Sequence, residues 1–213
     1  LDGVRYLINT DGFQANRIIV GPAGGCYQVW NRTMDTVPDP RTPYRVALSG
    51  FPGGHSGFDI GKGRINPLRL LATLLAESNA EIAALTGGIA INAIPSEAAA
   101  VVIPKDLSAF RKTLEQIPEL GGMVTLEPLS EPGSVWAPID RQAALDFLLT
   151  LPSGVQAWLP DCPGVPACSS NLGKTEWRDN TLTLHLFLRG TPQEALDRAA
   201  RGCNLLADRC GFT

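Results

Sequence analysis

The segment 181–189 constrains the fold of this chain more than any other. Every second position in it is a leucine, and polar, aromatic or charged residues take the positions between; the leucines are Leu182, Leu184, Leu186 and Leu188. This period of two predicts a β-strand with one face buried against a core and the other face open. The strand ends at Arg189, which the alternation places on the open face.

Helices and short strands interleave along the rest of the chain, an order that indicates an α+β fold with helices packed on one face of an antiparallel sheet. We predict strands at 4–9, 17–20, 26–33, 44–51, 82–91, 98–103, 123–126, 155–159 and 169–177, and a connector without regular structure at 35–43. Helices are predicted after the cap Asn66, from Asp106 to about Pro118, at about 141–151, and from a capping box at Thr191–Glu194 to about Arg209. The turn-rich stretch 130–138 is the expected internal boundary, and two similar subdomains side by side fit this order.

Composition excludes two classes of partner. The chain has 213 residues and a formal net charge of −3 without a basic cluster, so nucleic acid is not an expected partner. No apolar run reaches the roughly 18–20 residues that span a membrane. The five cysteines form an odd set without framework spacing, which predicts reduced thiols in a cytoplasmic protein. Because the sequence begins at Leu1 and shows no signal peptide, we expect a piece of a longer polypeptide.

A histidine on a glycine-built turn is the first candidate for chemistry. His55 lies in Gly53-Gly54-His55-Ser56-Gly57, where the glycines allow a tight turn and the close approach of a ligand. An imidazole held in this way is able to donate a hydrogen bond to a carbonyl or an oxyanion. The alternative is a histidine that only satisfies backbone groups in a surface turn.

The strand-end arginine is the second candidate. A guanidinium at Arg189, just before a helix, is a suitable receptor for a carboxylate, although pairing with a neighbouring acidic side chain is equally expected. Ser170 and Asn171 are candidates for polar contacts to a peptide-like ligand. Asp11 follows an apolar strand and precedes a glycine, as metal-binding carboxylates often do.

The remaining alternatives concern metals and thiols. The chain has two histidines, neither in a two-histidine motif nor close to an acidic pair, so a self-contained catalytic zinc centre is not expected. A cysteine hydrolase that pairs Cys26 or Cys168 with His55 remains a third, weaker hypothesis.

Several motifs together resemble the aminoacyl-histidine dipeptidases (Xaa-His dipeptidases), co-catalytic zinc metallopeptidases related to peptidase T and carboxypeptidase G. The resemblance spans nearly the whole chain, and its motifs are 7–11, 21–25, 53–57, 63–66, 87–95, 163–165, 169–173 and 186–189. Those enzymes insert a lid, or dimerisation, domain into a zinc-binding catalytic domain. The chain therefore resembles the lid, with two ferredoxin-like subdomains, and is expected to divide into a junction with the catalytic domain and first lid strands at 1–34, subdomain one at 35–129 and subdomain two at 130–213.

The resemblance also implies roles. His55 would hydrogen-bond the scissile carbonyl or its tetrahedral intermediate, and Arg189 would hold the substrate's C-terminal carboxylate. Asp11 matches a zinc-ligating position, although Gly12 and Phe13 follow it where the family has a serine and acidic residues. The resemblance implies two zinc ions in the parent enzyme and none in this chain. The expected partners are a dipeptide substrate, the catalytic domain of the same polypeptide, and a second copy in a homodimer.

Two functional hypotheses follow. The first is the substrate-clamping lid of a cytoplasmic zinc dipeptidase, inactive without its catalytic domain. The second is a stand-alone ligand-binding or dimerisation module with no catalytic partner. Zinc-ligand motifs flanking the chain in the full reading frame would distinguish the first hypothesis from the second.

Overall fold

The structure, a computed structural model, describes Arg5, residues 24–131 and residues 133–213. These residues form four α-helices, α1 Pro67–Ser78, α2 Leu107–Leu114, α3 Pro138–Thr150 and α4 Gln193–Arg209. They also form twelve strands, β1 Gly24–Thr33, β2 Thr36–Asp39, β3 Tyr44–Ser49, β4 Gly54–His55, β5 Glu81–Gly87, β6 Ala93–Ile94, β7 Ala98–Ile103, β8 Met123–Pro128, β9 Gly133–Trp136, β10 Gly154–Trp158, β11 Pro166–Arg178 and β12 Thr181–Gly190. Apart from Arg5, the strands predicted at 4–9 and 17–20 lie outside the described residues.

One large sheet organises the molecule. Its strands follow the order β1-β12-β11-β5-β7-β3-β8, with β10 also bound to β11, and every pairing is antiparallel. The four helices form a layer in which α1 contacts α2 and α3, and α3 contacts α4. The leucines of β12 are fully buried in the core with the apolar residues of α1 and α3, while the other face of β12 is only partly buried. The predicted α+β fold, with helices on one face of an antiparallel sheet, is confirmed.

The sheet divides into two ferredoxin-like units. In the first, β3, α1, β5, β7, α2 and β8 follow one another and their strands pair in the order β8-β3-β7-β5. In the second, β1, α3, β11, β12 and α4 follow one another and their strands pair in the order β1-β12-β11. The units meet where Thr175 of β11 pairs with Gly87 of β5. Strand β1, placed by the sequence in the segment 1–34, is therefore part of the sheet that residues 130–213 form.

Two predicted loops contain strands. Within 35–43 lies β2, and within 130–138 lies β9, and these two strands pair with each other from Thr36 opposite Trp136 to Asp39 opposite Gly133. Prolines are tolerated in such short edge ladders, so Pro38 does not prevent the pairing. The sequence prediction was wrong here because the partner strand is far away along the chain and neither segment alternates.

The helix starts agree with the sequence at two positions and differ at the other two, since α3 begins at Pro138 where the sequence predicted about Arg141. Asn66 accepts hydrogen bonds from the backbone N–H groups of Leu68 and Arg69, and Asp106 caps α2 in the same way. The capping box predicted at Thr191 does not form, since Pro192 is the N-cap of α4 and no side chain caps that helix. Thr191 donates its backbone N–H to the carbonyl of Ala167 at 2.9 Å and so prolongs the β11–β12 pairing. No helix in the described part of the chain is long and apolar enough to cross a membrane.

Candidate functional site around His55 and Arg189

The glycine-built turn is held against a second sequence motif. Strand β4 pairs with β6, so that Gly54 lies opposite Ile94 and His55 opposite Ala93. Gly54 has a φ of 135°, and a Cβ atom there would lie 2.0 Å from Nη1 of Arg64. Only glycine fits this position, because both the backbone conformation and the space exclude a side chain.

The backbone around His55 orients its ring. Nδ1 accepts hydrogen bonds from the N–H groups of Gly57 at 3.1 Å and Phe58 at 3.2 Å. A nitrogen that accepts two backbone N–H bonds carries no proton, so the neutral imidazole holds its proton on Nε2. Burial and the nearby charge of Arg189 lower the pKa of His55 from its ordinary value, although Asp59 opposes this. The geometry therefore favours a neutral imidazole that donates from Nε2.

Asp59 ties the loop together, and sequence reasoning missed it. Its carboxylate accepts the backbone N–H of His55 at 2.8 Å, Nζ of Lys62 at 2.7 Å and Nη2 of Arg64 at 2.9 Å, while its own N–H donates to the carbonyl of His55 at 2.9 Å. The hydrogen bond from Lys62 and that from the His55 backbone hold the pKa of Asp59 below its usual range. The signal in the sequence is an acidic residue four positions after the histidine with two cations close behind it.

The structure brings Arg189 to this loop. Nε of Arg189 lies 3.4 Å from Oγ of Ser56, and its guanidinium carbon lies 4.6 Å from the centre of the Phe187 ring. A Cβ atom added to Gly57 would lie 3.1 Å from Cε1 of His55 and 3.2 Å from Nε of Arg189. The imidazole and the guanidinium thus both border the space beside Gly57 that a side chain would fill.

The guanidinium of Arg189 is able to bind an anion. Burial lowers the pKa of its guanidinium from the ordinary value, but an arginine remains charged at neutral pH. Among residues 24–131 and 133–213, no carboxylate forms a salt bridge with Arg189. The sequence allowed Arg189 either to bind a ligand carboxylate or to pair with a neighbouring acidic side chain. The second arrangement is not present among the described residues. A partly buried, uncompensated cation is a typical site for a carboxylate.

Asn171 and Ser170 have partners within the protein. Nδ2 of Asn171 donates to the carbonyl of Ala93 at 2.8 Å, so this buried amide holds the strand that pairs with His55. Asn171 lies opposite Phe187 in the β11–β12 register, on the face that carries Arg189. Ser170 lies opposite Leu188 on the helix-covered face, where Oγ donates to the carbonyl of Pro152. Only Asn171 of this pair lies on the Arg189 side of the sheet.

A cleft of about 390 Å³ lies beside the loop. Its walls include Arg64, Asn66, Val155, Trp158 and Asn171, and neither His55 nor Arg189 lines it. The cleft therefore adjoins the His55–Arg189 pair without containing it.

Metal and thiol chemistry find little support in the described residues. Asp11 lies outside them, and within them no three His, Cys, Asp or Glu side chains cluster closely enough to hold a metal ion. A resident zinc centre does not fit the described residues. Burial raises the pKa of both Cys26 and Cys168, which disfavours the thiolate that a cysteine hydrolase requires.

The chain is similar to dipeptidases in sequence and structure over part of their length, as its sequence motifs predicted. Its sequence is 29% identical over 201 residues to cytosol non-specific dipeptidase from Escherichia coli (strain K12), a match that covers 86% of this chain and 41% of the relative. Its structure matches that of aminoacylhistidine dipeptidase from Vibrio alginolyticus with a TM-score of 0.82 and 25% identity, over 90% of this chain and 43% of that chain. No protein-family model matches the chain. The chain thus spans about two fifths of the length of these relatives.

Proposed function

We propose that the chain is the substrate-clamping lid of a dipeptidase that hydrolyses dipeptides such as Xaa-His. The observation that carries this proposal is the convergence of His55 and Arg189 on the same space beside Gly57. A dipeptide offers one scissile carbonyl and one terminal carboxylate, separated by a single residue. A hydrogen-bond donor and a cation held close together match these two groups.

The role proposed for His55 is to donate from Nε2 to the scissile carbonyl oxygen and to the oxyanion that forms from it. The supporting geometry is the pair of backbone N–H bonds to Nδ1, which directs the proton to Nε2. A donor that is already oriented costs little reorganisation when negative charge develops on the oxygen. The lowered pKa of His55 keeps the ring neutral, so that Nε2 carries its single proton.

The role proposed for Arg189 is to bind the C-terminal carboxylate of the dipeptide. The partial burial of its guanidinium and the absence of an acidic partner among the described residues support this role. Asn171 contributes by holding the strand opposite His55, through its bond to Ala93. Ser170 was a candidate from the sequence for polar contacts to the ligand, and its place on the other face favours a structural role in the β10–β11 region.

The partners of this lid are part of the same proposal. The catalytic domain, its zinc ions and the residues that bind them would come from the rest of a longer polypeptide, and Asp11 would approach that centre from the junction. A cytosolic location fits the name of the Escherichia coli relative and the free cysteines of the described residues. A homodimer through the lid is a further element of the proposal.

The experiment measures dipeptide hydrolysis by the full-length protein and its variants at fixed zinc content. His55→Ala is expected to lower kcat/KM by about 10²-fold or more, because an oriented oxyanion donor is lost. The matched control is His185→Ala, since His185 lies elsewhere on the sheet and contacts Tyr27 and Glu176. Turnover within about twofold of the parent with zinc bound would contradict the role of His55.

The carboxylate contact is tested with a pair of substrates, a dipeptide and its C-terminal amide. Arg189→Met is expected to lower kcat/KM for the free dipeptide by roughly 10- to 100-fold and to leave the amide nearly unaffected, because a charged hydrogen bond is lost only with the former. Arg178→Met, at an exposed arginine of β11, is the matched control. An equal loss on both substrates would show that Arg189 does not recognise the carboxylate.

A further inference from the structure

The cleft beside the His55 loop has the size of a small-molecule pocket. Its volume of about 390 Å³ lies between the segment 60–66, which continues the His55 loop, and the segment 153–158, which contains β10. Ile94 of β6 and Asn171 of β11 complete its lining. Pockets that bind small ligands commonly have volumes of roughly 300–1,000 Å³.

The sheet register connects this cleft to Arg189. Arg189 of β12 lies opposite Ser169 of β11, and Ser169 lies opposite Val155 of β10, so that the three residues form one row across the sheet. Paired residues project to the same face, and two strand spacings separate the Cα atoms of Val155 and Arg189 by about 10 Å. Asn171, another wall residue, holds the strand that pairs with His55. The cleft is therefore bordered by the face of the sheet that carries Arg189.

The walls of the cleft are mostly apolar. An aromatic ring, that of Trp158, stands among aliphatic side chains, which are Ile60, Ile65, Ile94 and Val155. Such walls favour a ligand group that gains from leaving water.

The polar residues of the cleft already have partners within the protein. Nη2 of Arg64 donates to the carboxylate of Asp59 at 2.9 Å, which balances its charge. Nδ2 of Asn66 donates to the carbonyl of Leu172 at 2.8 Å, and its Oδ1 accepts the N–H of Leu68 at 3.0 Å. Because burial of a charge without a partner is costly, this cleft suits an uncharged side chain.

Trp158 gives the cleft an aromatic surface. The side chain is 49% exposed, and a Cβ atom added to Gly61 would lie 2.8 Å from Cη2 of the indole. The ring therefore lies directly against the Gly61 backbone, which restricts its position while about half of it stays open. An open aromatic surface in a pocket wall is able to stack with a second ring.

We propose that the cleft binds the side chain of the C-terminal residue of the dipeptide, and that Trp158 selects an uncharged ring there, as in phenylalanine, tyrosine or neutral histidine. The inference rests on the roles proposed for His55 and Arg189. Those two groups bind the scissile carbonyl and the terminal carboxylate, so the residue between them is held at both of its ends. Its side chain leaves the backbone beside Gly57 and enters the space that the cleft offers on the same face of the sheet.

The first test measures kcat/KM of the full-length protein for alanyl-phenylalanine, alanyl-glycine and phenylalanyl-alanine. Trp158→Ala is expected to lower the value for alanyl-phenylalanine roughly 10-fold and to leave the other two within about twofold, because only the first peptide places a ring in the cleft. Trp158→Phe retains a ring and is expected to restore most of the loss. The matched control is Tyr27→Ala, which removes another exposed aromatic side chain and is expected to change none of the three values.

A second variant moves the indole without removing it. Gly61→Ala places a Cβ atom in the space of the Trp158 ring, so the ring must shift. The same selective loss on alanyl-phenylalanine is expected, which a merely structural role of Trp158 would not produce.

The second test is independent of turnover. The indole N–H signal of Trp158 in the full-length protein, assigned by its disappearance in Trp158→Phe, is followed by NMR after the metal is removed with a chelator, so that peptide is not consumed. Alanyl-phenylalanine is expected to move this signal, and alanyl-glycine at the same concentration is expected to leave it in place.

The outcomes separate this inference from the proposed function. Equal losses on all three peptides in Trp158→Ala, or a loss confined to phenylalanyl-alanine, would overturn the inference, as would an indole signal that alanyl-phenylalanine does not move. An active protein whose preference is unchanged in Trp158→Ala contradicts this inference alone. A protein that hydrolyses none of the peptides, but whose Trp158 signal responds only to alanyl-phenylalanine, contradicts the proposed hydrolysis and supports the binding site.

Discussion

At the scale of single residues, Gly57 sets how closely the two candidate groups approach each other. A Cβ atom at this position would come within 3.2 Å of both the His55 ring and the Arg189 guanidinium, closer than side-chain atoms normally pack. The hydrogen of glycine leaves that space open. The proximity of Arg189 in turn contributes to the lowered pKa of His55.

The lowered pKa of His55 has a defined effect on stability. Burial, and then the charge of Arg189, disfavour the imidazolium in the folded protein, so the folded pKa lies below the ordinary value of 6.5. The unfolded chain therefore binds a proton at a higher pH than the folded chain does. The stability that neutral His55 contributes is fully present above 6.5 and is lost as the pH falls toward the folded pKa.

This effect predicts how His55 titrates in an NMR experiment. The ¹³Cε1 signal of His55 is expected to have its midpoint below 6.5, and Arg189→Met is expected to move that midpoint upward because one of its two causes is removed. His55→Gln assigns the signal, since only His185 remains. A midpoint unchanged by Arg189→Met would mean that the guanidinium charge does not reach the ring.

Asp59 is expected to position the His55 loop, which a carboxylate elsewhere on the surface would not do. Asp59→Ala removes the acceptor of the His55 N–H, so we expect the loop to lose its fixed geometry and kcat/KM of the full-length protein to fall on the order of 10-fold. The ¹³Cε1 shift of His55 is expected to change as well, because Nδ1 loses its fixed backbone donors. Asp161→Ala, at an exposed loop aspartate, is the control. Loss of stability with an unchanged His55 signal would show a structural role only.

At the scale of elements, β12 shows how one strand serves both the core and the site. Its leucines are fully buried, and its other face carries Thr183, His185, Phe187 and Arg189. Because the period of two is strict, the buried leucines fix which way Arg189 points. The core therefore positions the candidate carboxylate receptor.

Truncation of one of these leucines is expected to be costly. Leu186→Ala removes a fully buried side chain next to Leu172 in the sheet register, and we expect the free energy of unfolding to fall by about 2–5 kcal/mol. Thr183→Ala, on the other face of the same strand, is expected to cost about 1 kcal/mol or less because only its hydrogen bond to Asn31 is lost. Urea denaturation measures both, and equal losses would contradict the burial of only one face.

The elements also show which parts of the fold are predictable from sequence. The alternation in β12 and the caps Asn66 and Asp106 act over a few residues, and the structure has these elements where they were predicted. The ladder between β2 and β9 was missed because its hydrogen bonds join distant segments. The start of α4 was predicted one residue too early because Thr191 follows the sheet instead of the helix.

At the scale of the whole molecule, contacts between the units complement the sheet pairing of Thr175 with Gly87. Arg69 of α1 makes two of these contacts. It donates to the carbonyls of Leu149 at 2.6 Å and Leu151 at 2.5 Å at the end of α3. Asn66 donates to the carbonyl of Leu172 in β11 at 2.8 Å. A cation at the C-terminal end of a helix satisfies carbonyls that have no partner within the helix.

The loss of Arg69 is therefore expected to weaken both units together. Arg69→Met leaves partly buried carbonyls at the end of α3 without this donor, and we expect the free energy of unfolding to fall by about 1.5–3 kcal/mol. Arg111→Met, at an exposed arginine of α2, is the matched control and is expected to change stability by less than about 0.5 kcal/mol. Thermal unfolding followed by circular dichroism is expected to remain a single transition; two transitions in the parent chain would show that the units are not coupled.

The sequence by itself determined the local features of this protein: the strand alternation, two helix caps, and a histidine whose glycine neighbours demand a tight turn. These follow from interactions over a few residues, and the motifs were sufficient to predict the similarity to dipeptidases. Tertiary structure alone decided that β1 joins the second unit, that Asn171 supports the strand opposite His55, and that Arg189 and His55 meet beside Gly57. Those arrangements depend on hydrogen bonds and packing between segments far apart in the chain, which no local pattern encodes.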